Sequence, residues 1–145
     1  MRRRVYGVPA LVFALALVAG ACSKGSESES GGGESEGGTI TIDGQTANDH
    51  GSKDVSGQAS FELEADDLYF EPTVLKGTAG QSITIEVANE GSALHNFSLT
   101  EQSISQDVKP DESIEVDVAF PDSGTLLFFC KYHQGSGMRG ALEVA

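Results

Sequence analysis

Four side chains in this sequence are of types that bind soft metal ions. Cys130, His133 and Met138 fall within nine residues of one another, and His95 lies 35 residues before the cysteine. Thiolate and thioether sulfurs favour copper, and imidazole binds both of its oxidation states. Two histidines and a cysteine with a weak axial methionine form the ligand set of blue-copper electron-transfer sites. These four residues predict a site for one copper ion.

The small number of similar residues elsewhere limits the alternatives. The chain of 145 residues has 3 His, 2 Cys and 2 Met, so Met138 is the only methionine besides the initiator. A single buried cysteine is usually a small apolar core residue, and only the joint pattern favours copper. The third histidine, His50, lies in a polar stretch where a solvated or incidental role is expected. A multicopper oxidase or nitrite reductase needs further histidine clusters, and a binuclear copper centre needs two cysteines in one loop, so both classes are excluded.

The net charge argues against nucleic acid as a partner. The chain carries 22 acidic and 9 basic residues, for a formal charge of −13. Phosphate backbones require clustered Lys and Arg to displace counterions. We expect the acidic surface to be mostly solvated, and it could steer a redox partner with a basic docking surface.

The first 22 residues have the pattern of an export signal. Arg2, Arg3 and Arg4 precede an apolar run over 8–18 that is too short to span a bilayer, as in secretory signal peptides. The end of this segment, VAGAC, resembles a bacterial lipobox, which makes residues 1–21 the signal peptide and Cys22 the lipid-bearing first residue of the mature protein. A plain signal peptide cut nearby is the alternative. We expect an exported lipoprotein, anchored to a membrane through Cys22 and facing the periplasm or the cell exterior.

Composition then divides the remaining chain. Residues 22–38 are almost entirely Ser, Gly and Glu, which predicts a flexible stalk because no apolar surface offsets the entropy of ordering. Residues 39–57 are interpreted as a polar extension that adds a possible edge strand, since Thr39–Ile42 alternates in polarity. The folded domain is expected over 58–145.

Within 58–145 the apolar residues recur with the period of two that is typical of half-buried strands. Turn-forming residues such as Asn89-Glu90-Gly91-Ser92 and Pro121-Asp122-Ser123-Gly124 separate these runs, and no helical period is present. The pattern predicts an all-β domain of seven or eight short strands, arranged as an antiparallel sandwich or barrel.

The motifs resemble those of a known family. Leu94-His95-Asn96-Phe97 followed by Cys-x₂-His-x₄-Met at 130, 133 and 138 resembles the plastocyanin branch of the cupredoxins. The HQGSGM loop, the closing GALEV strand and the Phe70-x-Pro72 corner are similar as well. The resemblance implies a Greek-key β-sandwich that transfers single electrons. It also implies that His95, Cys130 and His133 are equatorial ligands and Met138 is the axial ligand.

Two further positions follow from the resemblance. Asn96, next to His95 and not itself a ligand, would link the segment that carries His95 to the loop that carries Cys130, His133 and Met138. Lys131 and Tyr132 occupy positions where family members often have a small hydroxyl residue and a proline, so a partner for Asn96 at position 131 is not assured. A cation at Lys131, close to the cysteine sulfur, is expected to favour Cu(I) and raise the redox potential.

The sequence therefore predicts a monomeric, membrane-tethered electron carrier that exchanges one electron with a donor and an acceptor protein. Its four ligands fill the coordination sphere and leave no position for a substrate, so an enzyme is not expected. A periplasmic or cell-surface copper carrier or chaperone is the alternative, because the same ligands could hold copper for delivery. A structural β-domain that binds no metal is the third possibility.

Overall fold

The computed structural model describes residues 37–144, which contain twelve β-strands and two short 3₁₀ turns, Thr100–Gln102 and Gln134–Ser136. The first six strands are β1 (Gly38–Ile42), β2 (Gln45–Asp49), β3 (Ser52–Asp54), β4 (Ser60–Asp66), β5 (Tyr69–Glu71) and β6 (Val74–Gly77). The other six are β7 (Ser82–Asn89), β8 (His95–Leu99), β9 (Ile104–Val108), β10 (Ser113–Ala119), β11 (Gly124–Phe129) and β12 (Arg139–Val144).

Three predicted features fall outside the described residues. These are the signal peptide over 1–21, the lipid-bearing Cys22 and most of the stalk over 22–38. In the part of the chain that the structure describes, no helix has the length and apolar character needed to cross a membrane.

Two sheets enclose one core. The first has four strands in the order β10-β7-β4-β5, and the second has six in the order β3-β6-β12-β11-β8-β9. The inward side chains of both sheets form a single buried cluster that includes Leu63, Ile85, Phe97 and Leu142. The predicted all-β sandwich is confirmed.

The prediction of a purely antiparallel sandwich is wrong in three places. β4 pairs with β7, β6 with β12 and β3 with β6 in parallel. From β5 to β8 each successive strand crosses to the other sheet, so neighbours within a sheet come from separate stretches of the chain. Because of these crossings, some neighbouring strands run parallel to each other. The strand order is a Greek-key arrangement.

The strand count also exceeds the predicted seven or eight, because residues from 58 onward form nine strands, β4 to β12. β5 falls in the predicted corner at Tyr69–Pro72. β9 is an edge strand whose middle residues, Ser105, Gln106 and Asp107, are all exposed. Such a strand buries too few apolar residues to show an alternating pattern.

The segment over 39–57 belongs to the folded structure. β1 and β2 form a hairpin whose turn residues, Asp43 and Gly44, both have positive φ, as two-residue hairpin turns of type I′ require. The predicted strand at Thr39–Ile42 falls within β1, and β3 is an edge strand of the six-stranded sheet. Ala47 and Val55 are fully buried. The folded part therefore begins well before the predicted boundary at residue 58.

Three aromatic rings support the end of the sandwich that carries the predicted ligands. The Phe97 and Phe128 rings stack with centroids 5.1 Å apart, and the Phe70 ring packs edge-on against both. Phe97 follows His95 by two residues on β8, and Phe128 precedes Cys130 by two residues on β11. This buried cluster thus fixes the two strands from which the predicted ligands extend.

Candidate metal centre

Three of the four predicted ligands converge at one end of the sandwich. His95 begins β8 and Cys130 follows β11, and these strands are neighbours in the six-stranded sheet. The ligand atoms of His95, Cys130 and His133 all lie within 4.8 Å of one another. His133 Nδ1 is 3.3 Å from His95 Nδ1 and 3.5 Å from Cys130 Sγ. Two imidazole nitrogens and a sulfur therefore face a common point.

The loop from Cys130 to Met138, called the ligand loop below, closes on itself through backbone hydrogen bonds. The Cys130 N–H donates to the Met138 carbonyl at 3.1 Å, and the Met138 N–H donates to the His133 carbonyl at 3.3 Å. Gly137 has φ of +89°, a conformation that favours glycine and turns the chain back toward the sandwich. Met138 itself is fully buried. The thioether is thus carried on the same closed loop as the thiol and one imidazole.

The state of His95 fits a metal ligand. Its ring is fully buried, and burial together with the neighbouring His133 lowers its pKa below the usual range. The imidazole is therefore neutral at pH 7 and has a lone pair to give. The nitrogen that lies beside His133 Nδ1 is His95 Nδ1. The other ring nitrogen, Nε2, has no hydrogen-bond partner among the described residues and lies 3.9 Å from Asp67 Oδ1.

The donor set as a whole fits copper. Two imidazole nitrogens, a cysteine sulfur and a thioether are the donors that copper selects in both oxidation states. Cys130, His95 and Met138 are buried, and His133 is half-buried. A metal held by these residues would be shielded from water, with the His133 ring as the ligand nearest the solvent.

Asn96 connects the two ligand-bearing segments through hydrogen bonds. Its Oδ1 accepts a hydrogen bond from the Lys131 backbone N–H at 3.4 Å and one from the Ser98 hydroxyl. Its Nδ2 donates to the Gln106 carbonyl and to Asp107 Oδ1. The partner at position 131 is a backbone group, so the lysine side chain there does not prevent the contact.

The Lys131 charge is paired, which the sequence did not reveal. Lys131 Nζ lies 2.7 Å from Asp107 Oδ1, and the Tyr132 hydroxyl donates to Asp107 Oδ2 at 2.7 Å. Hydrogen bonds from Lys131, Tyr132 and Asn96 lower the pKa of Asp107 to about 2. The expected effect of Lys131 on the potential stays a prediction, and the adjacent carboxylate reduces its size. Asp107 was missed because β9, where it lies directly opposite Asn96, was not predicted.

His50 is packed and not simply solvated. Its ring stacks on that of Tyr69, with centroids 3.5 Å apart and planes 7° from parallel. Its Nδ1 is 3.7 Å from a Glu71 carboxylate oxygen, and its backbone N–H donates to the Thr73 hydroxyl. The structure does not bring His50 into the cluster of ligand atoms.

Exposed apolar side chains adjoin the predicted ligands. Leu94 and Tyr132 directly precede His95 and His133 in the chain, and both are more than a third exposed. Leu68 is 40% exposed, and its carbonyl is joined through the Asn48 amide to the carbonyl of Ser136 in the ligand loop. These three residues are called the apolar surface below.

Known proteins share this architecture. A family model described as a cupredoxin-like domain matches residues 39–144. A chloroplastic plastocyanin from Physcomitrium patens is 33% identical over 101 residues, which cover 60% of this chain and 58% of that protein. Plastocyanin A/B from Petroselinum crispum is 28% identical over 98 residues, covering 59% of this chain and 99% of that protein.

Solved structures agree on the fold. Reduced auracyanin from Roseiflexus castenholzii aligns with a TM-score of 0.51 at 19% identity, over 61% of this chain and 98% of that one. Auracyanin A from Chloroflexus aurantiacus, described as a blue copper protein, aligns with a TM-score of 0.51 at 22% identity, over 59% and 98% of the two chains. With the family match spanning most of the chain, this protein belongs to the cupredoxin-like family, and its sequence is similar to those of plastocyanins.

Proposed function

We propose that this protein is a mononuclear electron carrier that exchanges single electrons between two redox proteins. The observation that carries the proposal is the shielded convergence of His95, Cys130 and His133, with Met138 on the same loop. Copper, when bound there, supplies the Cu(II)/Cu(I) couple. The chain's part is to hold the donors in one geometry for both states and to leave no open position for a substrate. These features favour a carrier over an enzyme.

The surface around His133 supports electron exchange at that end. His133 is the half-buried member of the ligand cluster, and the apolar surface lies beside the ligand segments. Short-lived redox encounters bury little surface, so a few exposed side chains beside the ligands can form the contact. The net charge of −13 would steer a partner with a basic docking surface. A monomer in exchange with such partners is part of the proposal.

We also propose that the carrier is exported and tethered. The support is the sequence VAGAC ending at Cys22, followed by the Ser/Gly/Glu-rich stretch, which would let the domain reach partners near the membrane. Replacement of Cys22 by Ser in the producing cell should move the protein from the membrane fraction to the soluble fraction. Mass spectrometry of the N-terminal peptide should find acyl chains on Cys22 of the wild-type protein and none on the peptide of the Cys22→Ser variant. Equal fractionation of both forms would contradict the tether.

Visible and EPR spectra of the oxidised, copper-loaded protein test the carrier proposal. We expect an intense thiolate-to-copper band and a narrow copper hyperfine splitting. Cys130→Ser should abolish the band, because it removes the sulfur. Met138→Leu should keep the band and raise the midpoint potential, because loss of the axial thioether disfavours Cu(II). A sample shown to contain Cu(II) but lacking both signals would overturn the proposal.

The copper-delivery alternative gives different results in the same samples. It requires readily exchangeable metal, mostly Cu(I), and no reversible couple with a redox protein. Cyclic voltammetry and transfer of copper to a competing Cu(I) chelator therefore separate the two functions. Fast metal loss without a reversible wave would favour delivery.

A further inference from the structure

The N-terminal hairpin, formed by β1 and β2, contacts the ligand loop directly. Asn48, on β2, donates its backbone N–H to the Gly137 carbonyl at 2.9 Å. Its side-chain Nδ2 donates to the Ser136 carbonyl at 2.9 Å and to the Leu68 carbonyl at 2.8 Å. One residue of the hairpin thus satisfies the two carbonyl groups that immediately precede Met138.

The contact is close as well as hydrogen-bonded. A Cβ built on Gly137 would lie 2.7 Å from Asn48 Oδ1, so the amide of Asn48 lies against the glycine backbone. A second contact from the same strand joins the loop further along, because the Arg139 guanidinium donates to the carbonyls of Thr46 and Gln134. The hairpin therefore holds the loop on both sides of Met138.

The hairpin is itself anchored to the sandwich. The Asn48 carbonyl accepts a hydrogen bond from the hydroxyl of Thr73, which is fully buried. The same hydroxyl accepts from the backbone N–H of His50, whose ring is stacked on Tyr69. These bonds fix the position of Asn48 relative to the buried Thr73.

We propose that Asn48 is a positioning residue that fixes the Met138 end of the ligand loop and thereby sets the strength of the axial thioether contact. This inference rests on the proposed copper site. The bonds are made to backbone carbonyls, so they control where residues 136–138 lie whatever side chains those positions carry. The backbone bond from residue 48 to the Gly137 carbonyl does not depend on the side chain, whereas the bond to the Ser136 carbonyl does. A loop that loses the side-chain bond would let the thioether move away. A weaker axial ligand disfavours Cu(II) and raises the potential.

The test is the midpoint potential in two backgrounds. Asn48→Ala should raise the potential in the otherwise unchanged protein, in the same direction as Met138→Leu. In the Met138→Leu background, Asn48→Ala should have little further effect, because the group through which it acts is gone. EPR of the oxidised single variant should show altered copper hyperfine values.

Matched controls separate positioning from a general loss of structure. Thr46→Ala changes an exposed side chain on the same strand and keeps the carbonyl that Arg139 uses, so the potential should not move. Asn48→Ser serves if the alanine variant does not fold, since the shorter side chain cannot reach both carbonyls. Circular dichroism and the blue band verify that each variant folds and binds copper.

The outcomes are distinct. Absence of a blue band in the unmodified copper-loaded protein would be a failure of the copper site itself. A blue Asn48→Ala or Asn48→Ser variant with an unchanged potential would overturn the positioning role alone. An equal shift in the presence and absence of Met138 would also overturn it, because the effect would then not pass through the thioether.

Discussion

Asp107 is the residue on which three side chains near the metal centre converge. Its carboxylate accepts from Lys131, Tyr132 and Asn96, and Asn96 in turn holds the backbone N–H of the residue after Cys130. The carboxylate therefore does two things at once: it orients the amide that joins the ligand segments, and it offsets the cation nearest the cysteine in sequence. The electrostatics of the site depend on a residue that is not itself a ligand.

Asp107→Asn should raise the midpoint potential. The change keeps an acceptor for its partners but leaves the Lys131 charge uncompensated, and a nearby positive charge favours Cu(I). Because both side chains are solvent-accessible, we expect a rise of tens of millivolts at most, smaller at high salt. Protein-film voltammetry at two ionic strengths measures it. Glu101→Gln is the control, since it removes a charge at the opposite end of β8 from His95. A fall in the Asp107→Asn potential would contradict this account.

At the scale of elements, β11 and β12 approach each other closely beneath the ligand loop. Gly140 on β12 lies opposite Phe128 on β11, and the Phe128 ring covers the glycine. A Cβ at Gly140 would lie 2.3 Å from the Phe128 ring and 2.5 Å from the Thr73 carbonyl oxygen. The aromatic cluster that supports the ligand strands thus requires a residue without a side chain at this position.

Gly140→Ala should lower the free energy of unfolding by about 1–3 kcal/mol, the usual cost of overpacking a filled core. Urea unfolding measures it. Gly135→Ala is the matched control: the loop glycine has no atom within 4 Å of the added Cβ, so the change should stay within about 0.5 kcal/mol. Equal stability of the two variants would show that the Phe128 ring can move aside at little cost.

At the scale of the whole molecule, the acidic charge is organised by strand register. Glu62, Glu86 and Glu115 are partners across β4, β7 and β10 on an exposed face, and Glu64 lies opposite Glu71. Burial, followed by the charge of Glu71 and other nearby acids, raises the pKa of Glu64. Like charges opposite one another on a sheet are destabilising. These opposing glutamates therefore reduce the stability of the folded protein at neutral pH.

Glu64 and Asp107 contribute to the pH dependence of stability with opposite sign. Glu64 has a raised folded-state pKa, so its contribution is lost as pH rises through that pKa. Asp107 has a lowered folded-state pKa. Its contribution to the free energy of unfolding is present above about pH 4 and is lost as pH falls toward its pKa of about 2. Glu64→Gln should therefore stabilise the protein at pH 7 by a few tenths of a kcal/mol, reduced by solvent screening. This gain, measured by urea unfolding at several pH values, should vanish below about pH 4. A gain independent of pH would exclude titration of Glu64 as its cause.

The sequence by itself determined the chemistry and the class of fold. Cysteine, histidine and methionine in one short loop define a soft donor set, and the alternation of apolar residues defines half-buried strands, because both are local properties of the chain. His95 was identified as the remaining imidazole, 35 residues before Cys130, and the structure brings its Nδ1 to within 3.3 Å of His133 Nδ1.

Only the tertiary structure decided how that loop is held. Asn48 acts on the backbone carbonyls of Ser136 and Gly137, which every residue type presents alike, so no side-chain pattern marks the contact. Asp107 reaches Asn96 and Lys131 across an edge strand with exposed middle residues, and its role depends on a register that local alternation does not encode. The residues that bind are visible in the sequence because binding depends on side-chain chemistry. The residues that position them are not, because positioning depends on which distant segments meet.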